Sequence, residues 1–302
     1  MRKIILVVIS VVFSLVLSAC GGNGDGDKEI TIGSKTFTEQ YLFAKISTLL
    51  LEEEGFDVEE TTDLGSTALR QALENKQVDL TWDYVGTGLV TYLGEDPMTD
   101  PQAAFETLND IDQSDNEIVW TNLNDVDNTY TLMMREDHAE ELGIRTISDL
   151  AEHVNENPED LSIATNAEFY NRDDGLPGVE VAYDFEFPDA NVNEMDTGLT
   201  YKALRDEEVD VAVGFATDGR IEAFGFVNLE DDQSFFPSYN AAAAMTTETY
   251  EAYPEIEEIF APLDDLLTSE TMRELNYEVD IEERSVDEVA REFLVGNDLI
   301  EE

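Results

Sequence analysis

The chain has 302 residues, and 70 Asp and Glu against 16 Lys and Arg give a formal net charge of −54, with one cysteine and two histidines. Nucleic-acid binding needs a basic face that displaces counterions from phosphates, so this acidic balance excludes that class. A lone cysteine excludes a disulfide framework, and with only His138 and His153 beside it there is no structural zinc set. Both histidines are expected on solvated helix or loop surfaces, and no metal or cofactor is expected.

The composition, 42% apolar and 9% aromatic in periodic segments, supplies enough apolar surface for a folded core. At this length two compact lobes are favoured over one core. Met1-Arg2-Lys3, the apolar run Ile4 to Ala19 and the closing Leu17-Ser18-Ala19-Cys20 read as a secretory signal peptide over residues 1–19. The last four residues resemble a bacterial lipobox, which makes Cys20 the expected lipidation site. Residues 20–28, with the Gly21–Asp27 run of Gly, Asn and Asp, read as a flexible lipidated tether. The expected location is extracytoplasmic, lipid-anchored to the outer face of the cell membrane.

Glu29 to Ile32 reads as a strand. Thr36-x-x-Glu39 has the form of a capping box before a helix with Leu42, Ile46, Leu49 and Leu50 on one face, ended by Gly55. Phe56 to Thr62 reads as a second strand. Ser66 is expected to cap a helix carrying Ala68, Leu69, Ala72 and Leu73, and Val78 to Tyr84 reads as a third strand. This alternation predicts a parallel α/β sheet with right-handed crossovers.

Val78-Asp79, followed by Tyr84 and Thr87, is echoed by Val209-Asp210, followed by Phe215 and Thr217, which suggests two lobes of similar design. Thr129 to Arg135 and Ala241 to Thr246 are apolar extended stretches suited to carry the chain between lobes and back. Ser148 is expected to cap the first helix of the second lobe. The last sixty residues show helical stripes, Ile256, Ile259, Phe260 and Leu263, then Val286, Val289, Ala290 and Phe293. The expected division is lobe I over residues 29–129 and 240–302 and lobe II over residues 130–239.

Ligands in such folds sit beyond the carboxyl ends of strands, in the cleft between lobes. Tyr84 and Phe215 end two strands there, with Trp82 on the same face as Tyr84. Thr87, between Gly86 and Gly88, opens the next helix. Lys35 follows the first strand, and Arg172 lies in a second-lobe loop where Asp173 or Asp174 is an alternative partner. The runs Glu52–Glu54, Asp231-Asp232 and Glu301-Glu302 read as solvated faces.

Gly33-Ser34-Lys35-Thr36-Phe37-Thr38-Glu39-Gln40, Trp82-Asp83-Tyr84-Val85-Gly86-Thr87, Asn128-Thr129-Tyr130, Met195-Asp196-Thr197-Gly198-Leu199-x-Tyr201 and Phe235-Phe236-Pro237-Ser238-Tyr239 follow one another along the chain. Together they resemble the substrate-binding lipoproteins of osmoprotectant ABC importers, the glycine betaine, choline and carnitine binders, from about residue 29 to about 297. The resemblance implies a two-lobed periplasmic-binding-protein fold of type II, no enzymatic activity, and an ABC permease as membrane partner. It also implies an ammonium cage of Tyr84, Tyr130, Phe215 and Tyr239, with Lys35, Thr87 and Arg172 on a ligand carboxylate. Phe215 departs from the tyrosine usual at its position.

A trimethylammonium group has no N–H to donate, so aromatic faces select it better than hydrogen-bond acceptors do, at about 0.5–2 kcal/mol per desolvated contact. Glycine betaine is the expected ligand, with choline or carnitine as alternatives within the class. A secreted hydrolase using Asp83, Asp173, Asp174 or Asp218 is the competing reading from another class, and a sensor or adhesin of the same fold a third.

Removing Arg2 and Lys3 with the signal leaves 14 basic residues against the 70 acidic ones. Self-repulsion among these charges is screened within a Debye length that falls from ~10 Å at 0.1 M salt to ~3 Å at 1 M. The melting temperature is therefore expected to rise across that range of chloride salt; a flat or falling trend in calorimetry would contradict adaptation to a saline medium.

Overall fold

The computed structural model describes residues 28–301; the signal segment, Cys20 and the Gly21–Asp27 stretch lie outside the described residues. Two five-stranded sheets form the body. The first contains β1 (Lys28–Lys35), β2 (Phe56–Leu64), β3 (Leu80–Tyr84), β4 (Ile118–Thr121) and β10 (Ala241–Thr246), in the order β2-β1-β3-β10-β4. The second contains β5 (Tyr130–Arg135), β6 (Ile163–Thr165), β7 (Val192–Glu194), β8 (Val211–Phe215) and β9 (Phe226–Asn228), in the order β7-β6-β8-β5-β9.

Each sheet has four strands running the same way and one antiparallel strand, β10 or β5, which enters from the other lobe. β1 runs parallel to β2 and β3, whereas β10 runs antiparallel to both β3 and β4. The expected parallel core is present, but the sheet is mixed, because β10 arrives from the other lobe in the opposite direction. The second sheet repeats the pattern, with β6 parallel to β7 and β8, and β5 antiparallel to β8 and β9.

The sequence echo is visible in this arrangement. Asp79 Oδ2 accepts from the Thr31 amide at 2.8 Å, and Asp210 Oδ2 accepts from the Ser162 amide at 2.9 Å, each just before the central strand of its sheet. Both aspartates pin the loop entering a central strand to the strand beside it. Tyr84 and Phe215 then end β3 and β8 as structural counterparts.

Helix α1 (Thr38–Glu53) buries Leu42, Phe43, Ile46 and Leu50 against the first sheet. Trp82 faces the same helix, stacking on Phe43 at 4.9 Å and donating its Nε1–H to Ser47 Oγ at 2.7 Å. The C-terminal helices Glu255–Leu266, Ser269–Asp280 and Val286–Gly296 close this side, with Ile256, Phe260, Leu263, Val289 and Ala290 buried and Ile259, Val286 and Phe293 packed partly buried against them.

Three capping expectations are corrected. The N-cap of α1 is Phe37, with no side-chain hydrogen bond, and Glu39 points into the interior. Helix α2 (Ser66–Glu74) is capped by Gly65, so Ser66 is its first residue; Leu69 and Leu73 are buried, while Ala68 is exposed. In helix Ile147–Glu156 the cap is Thr146, in a reciprocal box with Asp149, rather than Ser148. A short polar residue near a helix start satisfies the pattern at several offsets, and the approach angle of the chain selects among them.

The chain leaves the first sheet after Thr121, enters the second at Tyr130, and returns between Asn228 and Ala241. The two crossing segments pair: Asp127 bridges Asn240 antiparallel, the Asn128 amide donates to Tyr239 O at 3.2 Å, and the Ala241 amide to Val126 O at 3.0 Å. Among the described residues no helix is long and apolar enough to cross a membrane.

Candidate functional site

A cavity of about 750 Å³ lies between the lobes, within the range of small-molecule sites. Its wall includes all seven residues singled out for ligand contact, Lys35, Tyr84, Thr87, Tyr130, Arg172, Phe215 and Tyr239. Tyr84 comes from the end of β3 and Phe215 from the end of β8. Tyr130 opens β5 beside Phe215 in register, and Tyr239 ends the returning crossing segment. Gly86 permits the approach of that segment, since a Cβ there would lie 2.7 Å from the Ser238 carbonyl oxygen.

The rings form one connected cluster. Tyr130 and Phe215 have centroids 5.0 Å apart, and Tyr130 meets Tyr239 edge-on at 5.8 Å. Tyr84 joins them through Phe37, which stacks on Phe215 at 5.0 Å and on Tyr84 at 6.4 Å. Phe37 lies within the Gly33–Gln40 motif but was not singled out as a cleft residue; its helix-start position, where a small polar cap is usual, was the available signal. Phe215 lacks a hydroxyl, and the hydroxyl of Tyr201, from the Met195–Tyr201 motif, accepts from the Phe215 amide at 2.8 Å.

The two cations of the cleft do not stand free. Lys35 Nζ lies 2.6 Å from Asp83 Oδ1, both side chains nearly inaccessible, and 5.1 Å from the Tyr84 ring centroid. Arg172 forks onto Asp174, Nε to Oδ1 at 2.7 Å and Nη2 to Oδ2 at 2.5 Å, with Nη1 3.2 Å from Glu168. The anticipated local partner is therefore Asp174, and because the pair is buried, removing either member would leave the other charge unmatched, at a cost of about 3–5 kcal/mol. Arg172 holds the Asp174 carboxyl below the usual carboxylate range against the opposing effect of burial. Thr87 is buried, with Oγ1 3.5 Å from Arg172 Nη2.

The lobes also clasp each other directly. Glu168, on the second-lobe helix Ala167–Asn171, accepts from the Ser66 amide at 2.7 Å and the Ser66 hydroxyl at 2.8 Å. A lobe II carboxylate thus caps a lobe I helix, where free amides and the helix dipole favour an anion. The first cause acting on its carboxyl is burial, which raises it, yet Lys35, the Ser66 bonds and Arg172 bring it below the usual value. On the hinge side, Arg220 Nη2 reaches Asp280 at 3.0 Å and Asp218 at 2.6 Å.

Asp231 is not simply a solvated charge. It accepts from the Phe235 and Phe236 amides at 3.0 and 2.9 Å and from the Tyr183 hydroxyl, shaping the loop that leads to Tyr239. His153 pairs with Asp160 on the surface and His138 lies beside Arg135. Among the described residues no group of three His, Cys, Asp or Glu side chains is placed to hold a metal.

Two mixed sheets, a double crossing and an aromatic-walled cleft between them define a two-lobed periplasmic-binding-protein fold, a class that holds small molecules between its lobes. The chain belongs to the family described as the substrate-binding domain of ABC-type glycine betaine transport systems, which matches residues 28–295. A glycine-betaine-binding protein of Pseudomonas aeruginosa is 37% identical over 278 residues, covering 90% of this chain and 89% of its own. A carnitine transport binding protein of Listeria monocytogenes is 35% identical over 311 residues, covering 100% of this chain and 99% of its own. A solved structure described as a glycine betaine/carnitine/choline ABC transporter has a TM-score of 0.72 at 31% identity, covering 90% of this chain and 100% of its own. The chain is accordingly an extracytoplasmic substrate-binding protein of an ABC transporter, delivering a small molecule to the permease, and not an enzyme.

Removing the clasp on α2 should loosen the contact between the lobes. Glu168→Ala is expected to increase the radius of gyration of the unliganded protein in solution scattering; an unchanged radius would show the clasp to be dispensable.

Proposed function

We propose that the protein captures a quaternary ammonium osmoprotectant, glycine betaine foremost, in the interlobe cleft and hands it to an ABC permease, while Cys20 carries a lipid that holds it at the membrane. The observation that carries this reading is the connected cluster of Phe37, Tyr84, Tyr130, Phe215 and Tyr239 on the cavity wall. Several rings acting on one desolvated trimethylammonium supply a gross attraction of several kcal/mol, about what micromolar binding requires before ordering costs. The 37% identical relative is named for glycine betaine, which supports the same ligand here.

The ligand carboxylate would meet Lys35, Thr87 and Arg172, but on terms the ion pairs set. Lys35 spends one of three donors on Asp83 and keeps two. Arg172 spends its fork on Asp174 and keeps only its outer edge. Lys35 is thus the better placed of the two for the carboxylate, and Arg172 serves chiefly to hold Asp174 and the Glu168 clasp. A hydrolase has no support: the family is one of substrate-binding domains, and of the four candidate carboxylates Asp83, Asp174 and Asp218 are bound to Lys35, Arg172 and Arg220, while nothing sets Asp173 apart.

Calorimetry against glycine betaine, choline and carnitine tests the reading, with saturable binding and no turnover expected. Tyr130→Ala should weaken betaine and choline alike, by about tenfold or more, since both present the trimethylammonium head. Arg172→Ala should also weaken both, because Asp174 is left buried without its partner; a loss confined to betaine would restore a direct carboxylate role for this arginine. No binding of any of the three ligands would overturn the proposal.

Anchoring is tested separately. Cys20→Ala should release the protein from the membrane or leave its signal uncleaved, and undiminished detergent-requiring attachment of the variant would contradict lipidation at this residue.

A further inference from the structure

The Lys35–Asp83 pair is held from a third side. Asp83 Oδ1 accepts from Lys35 Nζ at 2.6 Å and from the Tyr84 amide at 2.7 Å. Its other oxygen, Oδ2, accepts from the Tyr92 hydroxyl at 2.7 Å, and among the described residues no other donor bonds to it. Tyr92 and the cleft residue Thr87 belong to one π-helical segment, Thr87–Leu93, which Gly94 ends at φ +71°. Such turns are rare and gather at functional sites, yet Tyr92 itself takes no part in the cavity wall.

The Tyr92 ring is fixed independently of its hydroxyl. Its centroid lies 5.2 Å from the Arg70 guanidinium, and Arg70 in turn forks onto the buried Asp112 at 2.6 and 2.5 Å. Removing the hydroxyl alone therefore leaves the ring its packing partner. The hydroxyl has one proton to donate, and Asp83 is nearer than its second neighbour, the Ser66 carbonyl oxygen at 3.2 Å. Tyr92 thus sits where the Lys35–Asp83 pair meets the start of α2, at the residue whose amide and hydroxyl hold Glu168.

The bond from Tyr92 bears on Lys35. A buried carboxylate oxygen without a donor is costly, and a lysine ammonium on its flexible stem turns readily to fill one. With Oδ2 taken by Tyr92, Asp83 offers Lys35 only Oδ1, and two ammonium protons stay uncommitted beside the cavity that Lys35 lines. Without the hydroxyl, Lys35, already 2.6 Å from Oδ1, is the donor at hand for Oδ2. We propose that Tyr92 is a positioning residue for ligand recognition: by occupying Asp83 Oδ2 it keeps the Lys35 ammonium available to a ligand carboxylate, and so favours a betaine over an alcohol with the same trimethylammonium head. The inference rests on the reading of Lys35 as the carboxylate partner and assigns selection to a residue that touches no ligand.

Calorimetry on the full chain with glycine betaine and choline reads this as a ratio of affinities. Tyr92→Phe should weaken betaine by about fivefold or more and change choline by less than about twofold. Lys35→Met should lower the betaine-to-choline ratio by itself, and Tyr92→Phe added to it should leave that ratio unchanged, since the hydroxyl acts only through Lys35. Parallel loss of both ligands in Tyr92→Phe, or a variant that does not fold, would make the hydroxyl a structural support and overturn the proposal. A further fall of the ratio on the Lys35→Met background would overturn it as well, by showing a route that bypasses the lysine. Wild-type protein that binds neither ligand would overturn the quaternary ammonium reading and this inference together. An unchanged ratio in Lys35→Met would take Lys35 off the carboxylate and the inference with it, whereas a ratio that falls in Lys35→Met but not in Tyr92→Phe overturns this inference alone.

Discussion

The pairing of the two crossing segments, Val126–Asn128 with Tyr239–Ala241, organises the molecule. It turns β10 antiparallel to β3, fixes where each sheet begins and ends, and sets Tyr130 and Tyr239 edge to face at 5.8 Å. Those rings flank the crossing itself, so the aromatic wall sits beside the segments that join the lobes. Tyr84 and Phe215 are delivered from the two central strands to the same place, and Phe37 closes the gap between them. Farther from the crossing, the lobes are joined by contacts such as Glu168 on Ser66.

Charge matching is the second organising constraint. In a chain with 70 acidic residues, a free cation facing a cleft would be surrounded by competing carboxylates. Lys35 and Arg172 are instead each committed to one buried aspartate, which holds the side chain in a single geometry. The surface carboxylates answer to the solvent, and the buried ones answer to named partners. The wall of the cleft is therefore aromatic in front and ionic behind, with Tyr84 and Tyr239 forming the connection through their hydroxyls.

Much of this was legible in the chain. Alternating strand and helix patterns located β1 to β3 and the apolar faces of α1 and the C-terminal helices, because side-chain periodicity follows from local backbone geometry. The echo of Val78-Asp79 in Val209-Asp210 marked equivalent strands, because an aspartate at a strand entry binds the neighbouring backbone wherever that turn occurs. The cleft residues followed from strand ends and ordered motifs, and all seven line the cavity between the lobes.

Other features belonged to the tertiary structure alone. Thr36 and Glu39 fit a capping box by spacing, yet Glu39 turns inward to Tyr84, 45 residues away in sequence. Asp83 joins Lys35 across 48 residues and Glu168 joins Ser66 across 102. Local patterns are set by the sterics of a few consecutive residues, so the sequence determines helices, strands and the aromatic residues at their ends. With dozens of carboxylates competing for few cations, only the packed fold decides which charge is matched, which helix end is capped from the opposite lobe, and which carboxylate is buried without a counterion.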